Sequence, residues 1–179
     1  MIDRMSQPTP SLELRGEAVL SDPLAAEVLE ARSIGVLATI EPDGSVHAVS
    51  MWVAPVEGAL LLATGSRSRK VRNLEHDPRA TLVLHDSRPG AEVCGVSIRG
   101  RAEVVHGPAA KPLIERVHRR YVSERGLSFP EVQEFLSFDD VAIRFVPETA
   151  MTWDERPSAA ARVLRESGEA LQLEPTTPR

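Results

Sequence analysis

The chain alternates between short apolar runs and turn-forming segments, and this pattern predicts mostly β-strands. Residues 34–40 are short, branched and nearly all apolar, which is typical of a strand buried on both faces. The segment 41–45 supplies Pro and Asp-Gly turn chemistry, so a hairpin leads into a second strand over residues 46–53. A turn at Glu57-Gly58 leads into a third strand over residues 59–64. We therefore predict three strands in a meander.

Three further strands are predicted in the second half of the chain. They span residues 80–85, 93–105 and 141–146, and Pro147 is expected to end the last one because proline cannot donate to a sheet ladder. Within the long middle strand, Gly100 marks a bulge or a close approach of backbone. About six strands, turn-rich hairpins and helices grouped late predict a closed antiparallel barrel with peripheral helices.

Helical spacing occurs in four stretches between and beside these strands. It predicts a helix over residues 23–31 after an Asp22-Pro23 start, and a short exposed helix between residues 66 and 76. A longer helix is predicted from residue 108 to about 124, and a shorter one after Pro130. Because long helices do not alternate with the strands, and no G-x-G-x-x-G occurs, a doubly wound parallel fold is disfavoured.

Length and composition fit one domain with terminal extensions. The chain has 179 residues, of which 42% are hydrophobic and 26% charged, so a single core is expected. We assign the barrel to residues 21–154, a flexible N-terminal arm to residues 1–20 and a largely disordered tail to residues 155–179.

The charge and the apolar runs narrow the classes of partner. A formal net charge of −5 argues against nucleic-acid binding, which needs a basic face. No apolar run approaches the roughly 20 residues that cross a bilayer, and the N-terminus lacks the order of a secretory signal. We therefore expect a cytoplasmic protein that binds neither nucleic acid nor membrane.

The densest cationic cluster of the chain lies between residues 64 and 72. It contains Arg67, Arg69, Lys70 and Arg72, interleaved with hydroxyl residues. Hydroxyls and backbone N–H groups at a helix start, together with Arg and Lys, are the donors that a phosphate needs. A solvated helix face would show the same run of charge. The residues alone leave both interpretations open.

Other chemistry finds less support in the sequence. The five histidines form no i, i+4 pair and have no partner at metal-ligand spacing, so we predict no metal site. No G-x-S-x-G occurs and the single Cys94 fits a core position, so no catalytic residue is assigned. His118 and the charged residues around it are assigned to a solvated helix face, and Asp139-Asp140 to a turn before the last strand.

Four segments occur in a fixed order over about residues 23–153. They are residues 33–40, Asp43-Gly44, Lys70-x-Arg72-Asn73-Leu74-x-x-Asp77-Pro78-Arg79-Ala80, and Gly100-Arg101-Ala102-Glu103. Together they resemble the flavin- and deazaflavin (F420)-dependent split β-barrel oxidoreductases of the pyridoxamine-5′-phosphate-oxidase-like superfamily. The resemblance implies the fold class: a mainly β protein with an FMN-binding split barrel.

The resemblance also implies roles for individual residues. In that family the end of the third strand and the turn after it hold the cofactor phosphate, which implies this role for Thr64, Ser68, Arg69 and Lys70. The second strand runs beside the cofactor ring in relatives, which implies ring contacts for His47, Val49, Ser50, Met51 and Trp52. Relatives are homodimers with the cofactor at the interface, so Trp153 is expected to complete the partner's pocket.

The chain departs from true pyridoxamine-phosphate oxidases at three positions. Those enzymes carry an Arg and a Lys where this chain has His47 and Trp52, and a Gln where it has Gly95. We therefore do not expect pyridoxal-phosphate synthesis. The run Lys70-x-Arg72-Asn73-Leu74 is closer to the F420-dependent branch.

The resemblance leads to one function with two alternatives. We expect an oxidoreductase that transfers a hydride between reduced F420 and a small conjugated or heteroaromatic substrate. The alternatives are an FMN-dependent oxidoreductase of the same superfamily and a non-catalytic flavin- or tetrapyrrole-binding module. The sequence does not identify the substrate, because the shape of the pocket depends on loops such as residues 86–91, whose conformation the sequence does not specify.

Overall fold

Eight strands and seven helices make up the part of the chain that the computed structural model describes, which is residues 13–16, 18–85 and 94–168. The strands are β1 (Glu13–Arg15), β2 (Gly35–Ile40), β3 (Val46–Met51), β4 (Ala54–Val56), β5 (Ala59–Thr64), β6 (Arg79–His85), β7 (Cys94–Val105) and β8 (Val141–Asp154). The helices are α1 (Ala18–Ser21), α2 (Pro23–Glu30), α3 (Arg69–His76), α4 (Ala110–Tyr121), α5 (Glu124–Leu127), α6 (Pro130–Leu136) and α7 (Ala159–Ser167).

All strands belong to one antiparallel sheet with the order β3-β2-β6-β7-β8-β5-β4, and β1 pairs with β8. Only Trp52 and Val53 separate β3 from β4, so the two ends of this order lie close together and the sheet closes into a barrel. The predicted antiparallel barrel is confirmed. The predicted meander is wrong, because β5 pairs with β4 and β8 and not with β3. The apolar run predicted the strand but carried no information about its partner.

The barrel interior is filled by alternate residues of the strands, except that β5 is also covered on its other face, where Leu61 packs with Val117 of α4. In β2 the buried residues are Gly35, Leu37 and Thr39, while the residues between them are only half-buried. The prediction that this strand is buried on both faces is therefore wrong. The largest fully buried side chains of the strands are those of Leu37, Leu60, Leu61, Leu62, Leu82, Leu84, Ile98, Ile143 and Phe145.

A bulge joins β7 to β8 at Gly100, as the sequence predicts. Arg99 pairs with Thr149 and Gly100 with Pro147, so Glu148 is the extra residue of β8. A Cβ atom on Gly100 would overlap the carbonyl oxygen of Val146. The prediction that Pro147 ends the strand is wrong, because a bulge accommodates a residue without an N–H group.

The predicted helices are found, with ends that differ from the prediction by up to three residues. The α2 helix begins where the Asp22 carboxylate accepts hydrogen bonds from the backbone N–H groups of Leu24 and Ala25, each at 3.0 Å. The predicted helix over residues 108–124 ends at Tyr121 in α4, and residues 124–127 form the separate helix α5.

The described parts of both terminal segments include regular structure. Within the predicted arm, β1 pairs with β8 and Val19 of α1 is fully buried, and within the predicted tail lies α7. Residues 1–12, 17 and 169–179, and the loop assigned to residues 86–91, lie outside the described residues. No described helix is long and apolar enough to cross a membrane.

Replacement of Gly100 by Ala is expected to destabilise the protein by about 1–3 kcal/mol, because the new methyl group overlaps the backbone of β8. Urea unfolding measures the change. Glu103→Ala is the control, since this exposed side chain of the same strand should contribute less than about 0.5 kcal/mol. Equal unfolding midpoints for Gly100→Ala and the wild type would contradict the close approach.

Candidate cofactor-binding site

The basic segment folds as a turn followed by α3, and its most buried cation is Lys70. The Lys70 ammonium Nζ donates a hydrogen bond to Thr64 Oγ1 at 2.9 Å, which joins the helix to the end of β5. Burial lowers the pKa of Lys70, and the nearby Asp139 carboxylate opposes this shift. A half-buried ammonium beside a hydroxyl is a suitable contact for an anion.

Ser68 is the N-cap residue of α3, yet its side chain forms no capping hydrogen bond. Its Oγ atom is buried and has no hydrogen-bond partner among the described residues. Buried hydroxyl groups normally have a partner, so this atom fits a site that an anion completes. We call Thr64, Ser68 and Lys70 the phosphate cradle.

The arginines of the segment lie outside this cradle. The Arg69 guanidinium is 58% exposed and forms an ion pair with Glu41 at 3.3 Å. The Arg72 side chain donates to the carbonyl oxygen of Arg67 at 2.7 Å, and both side chains are exposed. The charge run therefore divides into one half-buried lysine and a solvated set of arginines.

A chain of buried hydrogen bonds fixes α3 against the barrel. The Asn73 side-chain amide, which is 3% exposed, donates to Thr39 Oγ1 at 3.0 Å. The Thr39 hydroxyl in turn donates to the carbonyl oxygen of His47 at 3.3 Å. The position of the helix is thereby tied to β2 and β3.

Strand β3 separates the predicted ring contacts onto two faces. Met51 is buried and Val49 packs against the main core, whereas Ser50 is exposed on the other face. His47 is half-buried and lies opposite the buried Thr39. Among the described residues β3 pairs with β2 alone, so the backbone groups at its second edge are open to a ligand.

Trp52 follows β3 and is held by two rings of α4. It stacks on Tyr121, with 4.9 Å between the ring centroids and an angle of 6°, and meets His118 edge-on at 6.4 Å and 82°. The Tyr121 hydroxyl accepts from the backbone N–H of Val53 at 3.0 Å and lies 3.1 Å from the carbonyl oxygen of Ser33. The indole is therefore part of a fixed wall.

A cavity of about 320 Å³ lies beside this wall and reaches the end of β5 next to Thr64. It is lined by Ser50, Met51, Trp52, Ala63, Val117, Phe135, Leu136, Phe138 and Asp139. Phe135 and Phe138 are 68% and 71% exposed and stand at its rim. The cavity is apolar apart from Ser50 and Asp139, which suits a flat ring with few polar atoms.

Three polar residues of the site were not identified from the sequence. The Asp139 carboxylate lies 2.7 Å from Nε2 of His118, which is 8% exposed, so the assignment of His118 to a solvated face is wrong. Asp140 contacts Ser66 of the turn after β5. The positions of Asp139 and Asp140 follow from the pairing of Val141 with Thr64. No local sequence pattern predicts that pairing.

No group of three His, Cys, Asp or Glu in the described ranges has metal-site geometry.

Trp153 lies near the C-terminal end of β8, whereas Val141, which pairs with Thr64, is the first residue of that strand. Trp153 is paired with Gly95, and a Cβ atom there would overlap the indole. Within one chain Trp153 and the phosphate cradle are therefore at different ends of the sheet, and its role in a partner's pocket stays a prediction. The packing of the Trp153 indole against Gly95 explains why this position is a glycine.

The family of the protein follows from its sequence and agrees with the barrel and cradle. The model of the pyridoxamine 5′-phosphate oxidase family matches residues 21–154. The chain belongs to this family of flavin-binding split barrels, which confirms the predicted superfamily. No curated protein sequence matches the chain.

Solved structures with the same fold have varied descriptions. A conserved hypothetical protein, Rv2991 from Mycobacterium tuberculosis, is 28% identical with a TM-score of 0.61, over 97% of this chain and 98% of that one. A protein described as an F420 reductase is 24% identical with a TM-score of 0.55, and the match covers 70% of this chain and 94% of that one. HutZ, a heme storage protein from Vibrio cholerae, is 16% identical with a TM-score of 0.55, and the match covers 75% of this chain and 92% of that one. The last two likenesses show the fold alone.

Replacement of Tyr121 by Phe is expected to lower the free energy of unfolding by about 1–3 kcal/mol, because the Val53 N–H loses its partner. The ring stack on Trp52 remains, so the fluorescence of that indole should not change. Tyr121→Leu is the comparison, since it removes the stack as well. Both are measured in a Trp153→Phe background, where Trp52 is the remaining tryptophan. Equal stability of Tyr121→Phe and the wild type would show that these hydrogen bonds contribute nothing.

Proposed function

We propose that the protein is an F420-dependent oxidoreductase that acts on a small conjugated or heteroaromatic substrate. The observation that carries the proposal is the phosphate cradle, where the start of α3 supplies the half-buried Lys70 ammonium and a buried Ser68 hydroxyl that has no partner among the described residues. This donor set fits the phosphate of a flavin or deazaflavin cofactor. The family to which the chain belongs binds flavins through the same fold.

The cavity beside the cradle supports a ring site next to the phosphate site. Asp139 lines the cavity and lies close enough to Lys70 of the cradle to affect its pKa, so the cavity adjoins the cradle. The open edge of β3 offers backbone donors and acceptors to a ring edge, and Trp52 offers a flat wall. When bound, reduced F420 supplies the hydride, while these residues orient the ring and exclude water.

Two features favour F420 over FMN. His47 and Trp52 replace the Arg and Lys of true pyridoxamine-phosphate oxidases, so the ring environment differs from that of the FMN enzymes. The run Lys70-x-Arg72-Asn73-Leu74 also resembles the F420-dependent branch of the superfamily. The apolar lining of the cavity suits a conjugated substrate more than a phosphorylated one.

Replacement of Lys70 by Ala is expected to weaken F420 binding about tenfold or more, because a charge-assisted contact to the phosphate is lost. Quenching of F420 fluorescence in a titration measures the affinity. Lys111→Ala is a matched control, since Lys111 is the other lysine of the chain and lies exposed on α4. Identical titrations of Lys70→Ala and wild type would contradict the cradle.

The same titrations with FMN separate the candidate functions. FMN bound more tightly than F420 would replace the proposal by an FMN-dependent enzyme. F420 bound without turnover of enone, quinone or biliverdin acceptors would favour a cofactor carrier, in line with a fold that also serves a heme storage protein.

The proposal includes a homodimer with the cofactor at the interface. The side chains on the outer face of β2 and β3 are apolar apart from Ser50, and Val46 among them is 67% exposed. A continuous apolar sheet face of this kind favours contact with a second copy. Trp153 of one chain would then complete the pocket of the other.

Replacement of Val46 by Asp is expected to convert the dimer into a monomer, because it buries a charge in the apolar interface. Light scattering on a size-exclusion column measures the mass. Val163→Asp on α7 is the control, since Val163 is 58% exposed and belongs to a helix outside the sheet. A wild-type protein that elutes as a monomer would exclude a stable dimer.

A further inference from the structure

A short segment before β8 lies directly over the phosphate cradle. We call residues Phe138, Asp139 and Asp140 the acidic strap. The Phe138 carbonyl oxygen lies 2.9 Å from the position that a Cβ atom of Gly65 would take. The Asp140 N–H donates to the carbonyl oxygen of Thr64 at 3.2 Å. The strap therefore contacts the turn whose residues begin the candidate anion site.

The Asp140 carboxylate occupies two donors of that turn. It accepts hydrogen bonds from the Ser66 N–H at 2.5 Å and from the Ser66 hydroxyl at 2.7 Å. The hydrogen bonds from the Ser66 side chain and then from its backbone hold the pKa of Asp140 below its usual value, so the group stays ionised at neutral pH. A cofactor phosphate thus meets a fixed negative charge where it would otherwise meet two free donors.

Asp139 brings a second negative charge to the same site. It lies close enough to Lys70 to oppose the shift that burial causes in the lysine pKa, and His118 holds its other side at 2.7 Å. The Arg69 side chain forms its ion pair with Glu41. The cradle therefore contains one lysine, and two carboxylates beside it offset part of the positive charge of the segment.

We infer that the acidic strap makes the cradle select a singly charged phosphodiester over a doubly charged phosphomonoester. The inference rests on the proposed function and names the chemical class of cofactor that the site admits. Repulsion from a fixed carboxylate scales with the charge of the phosphate, and a phosphomonoester carries about −1.5 to −2 near pH 7. A phosphodiester carries −1 and has two terminal oxygens to satisfy, so it needs fewer donors. F420 contains a phosphodiester, whereas FMN is a phosphomonoester.

The variant Asp140→Asn tests the inference because it removes the charge while the amide oxygen still accepts from the Ser66 N–H and the amide NH2 can donate to the Ser66 hydroxyl. At low ionic strength we expect FMN to bind about fivefold more tightly than to the wild type, and F420 about twofold. Riboflavin, which has no phosphate, should bind equally to both proteins. Dissociation constants come from fluorescence titrations, so the readout does not depend on turnover.

A matched control separates the local charge from the net charge. Glu57→Gln removes the same unit of charge at the opposite end of β5 from Thr64, and it should leave the FMN-to-F420 affinity ratio unchanged. Asp139→Asn serves as a second variant if Asp140→Asn does not fold, and it should shift the ratio in the same direction.

The outcomes distinguish the inference from the proposed function. An unchanged ratio in folded Asp140→Asn, or an equal shift in Glu57→Gln, overturns the inference while cofactor binding by the wild type leaves the proposed function intact. Weaker binding of riboflavin, FMN and F420 together would make Asp140 a structural residue and also overturn it. Failure of the wild type to bind F420 and FMN would overturn both.

Discussion

The whole architecture depends on how β8 pairs across the sheet. One edge of this strand pairs with β7, and the other pairs first with β5 and then with β1. A regular strand of this length would not curve enough to close a small barrel, and the extra residue Glu148 supplies the bend. Gly100 lets the two backbones approach, and Pro147 is tolerated because it lies next to Glu148 in the bulge. The barrel is therefore closed by a local irregularity within its longest pairing.

The same pairing assembles the candidate site. Because Val141 lies opposite Thr64, the two carboxylates that precede β8 come to the end of β5 and face the phosphate cradle. The buried link from Asn73 through Thr39 then holds α3, and with it Lys70, at a fixed distance from β3. The result is a cation balanced by carboxylates, not the strongly basic patch that the charge run suggests. A site with this balance of charge is better suited to discriminating between anions than to attracting every anion.

Sequence reasoning succeeded where the cause of a feature is local. The Asp22 cap, the α3 helix and the Gly100 bulge each follow from residue types within a few positions, and each is found in the structure. It was wrong about the meander, the end of the last strand and His118, because each depends on a partner far along the chain. An apolar run is compatible with any neighbouring strand, and a histidine in a charged helix gives no sign of the carboxylate that will bury it.

The sequence by itself determined the family, the strand and helix segments and the basic segment with Lys70, because these are encoded in residue type, period and order. The tertiary structure alone decided that the arginines around Lys70 are solvated and that Asp139 and Asp140 lie beside the cradle. It also decided that the buried Ser68 hydroxyl has no partner within the described part of the chain. The physical reason is sequence distance. Some 70 residues separate Ser66 from Asp140, and only the register of β5 with β8 brings their polar atoms within hydrogen-bond reach.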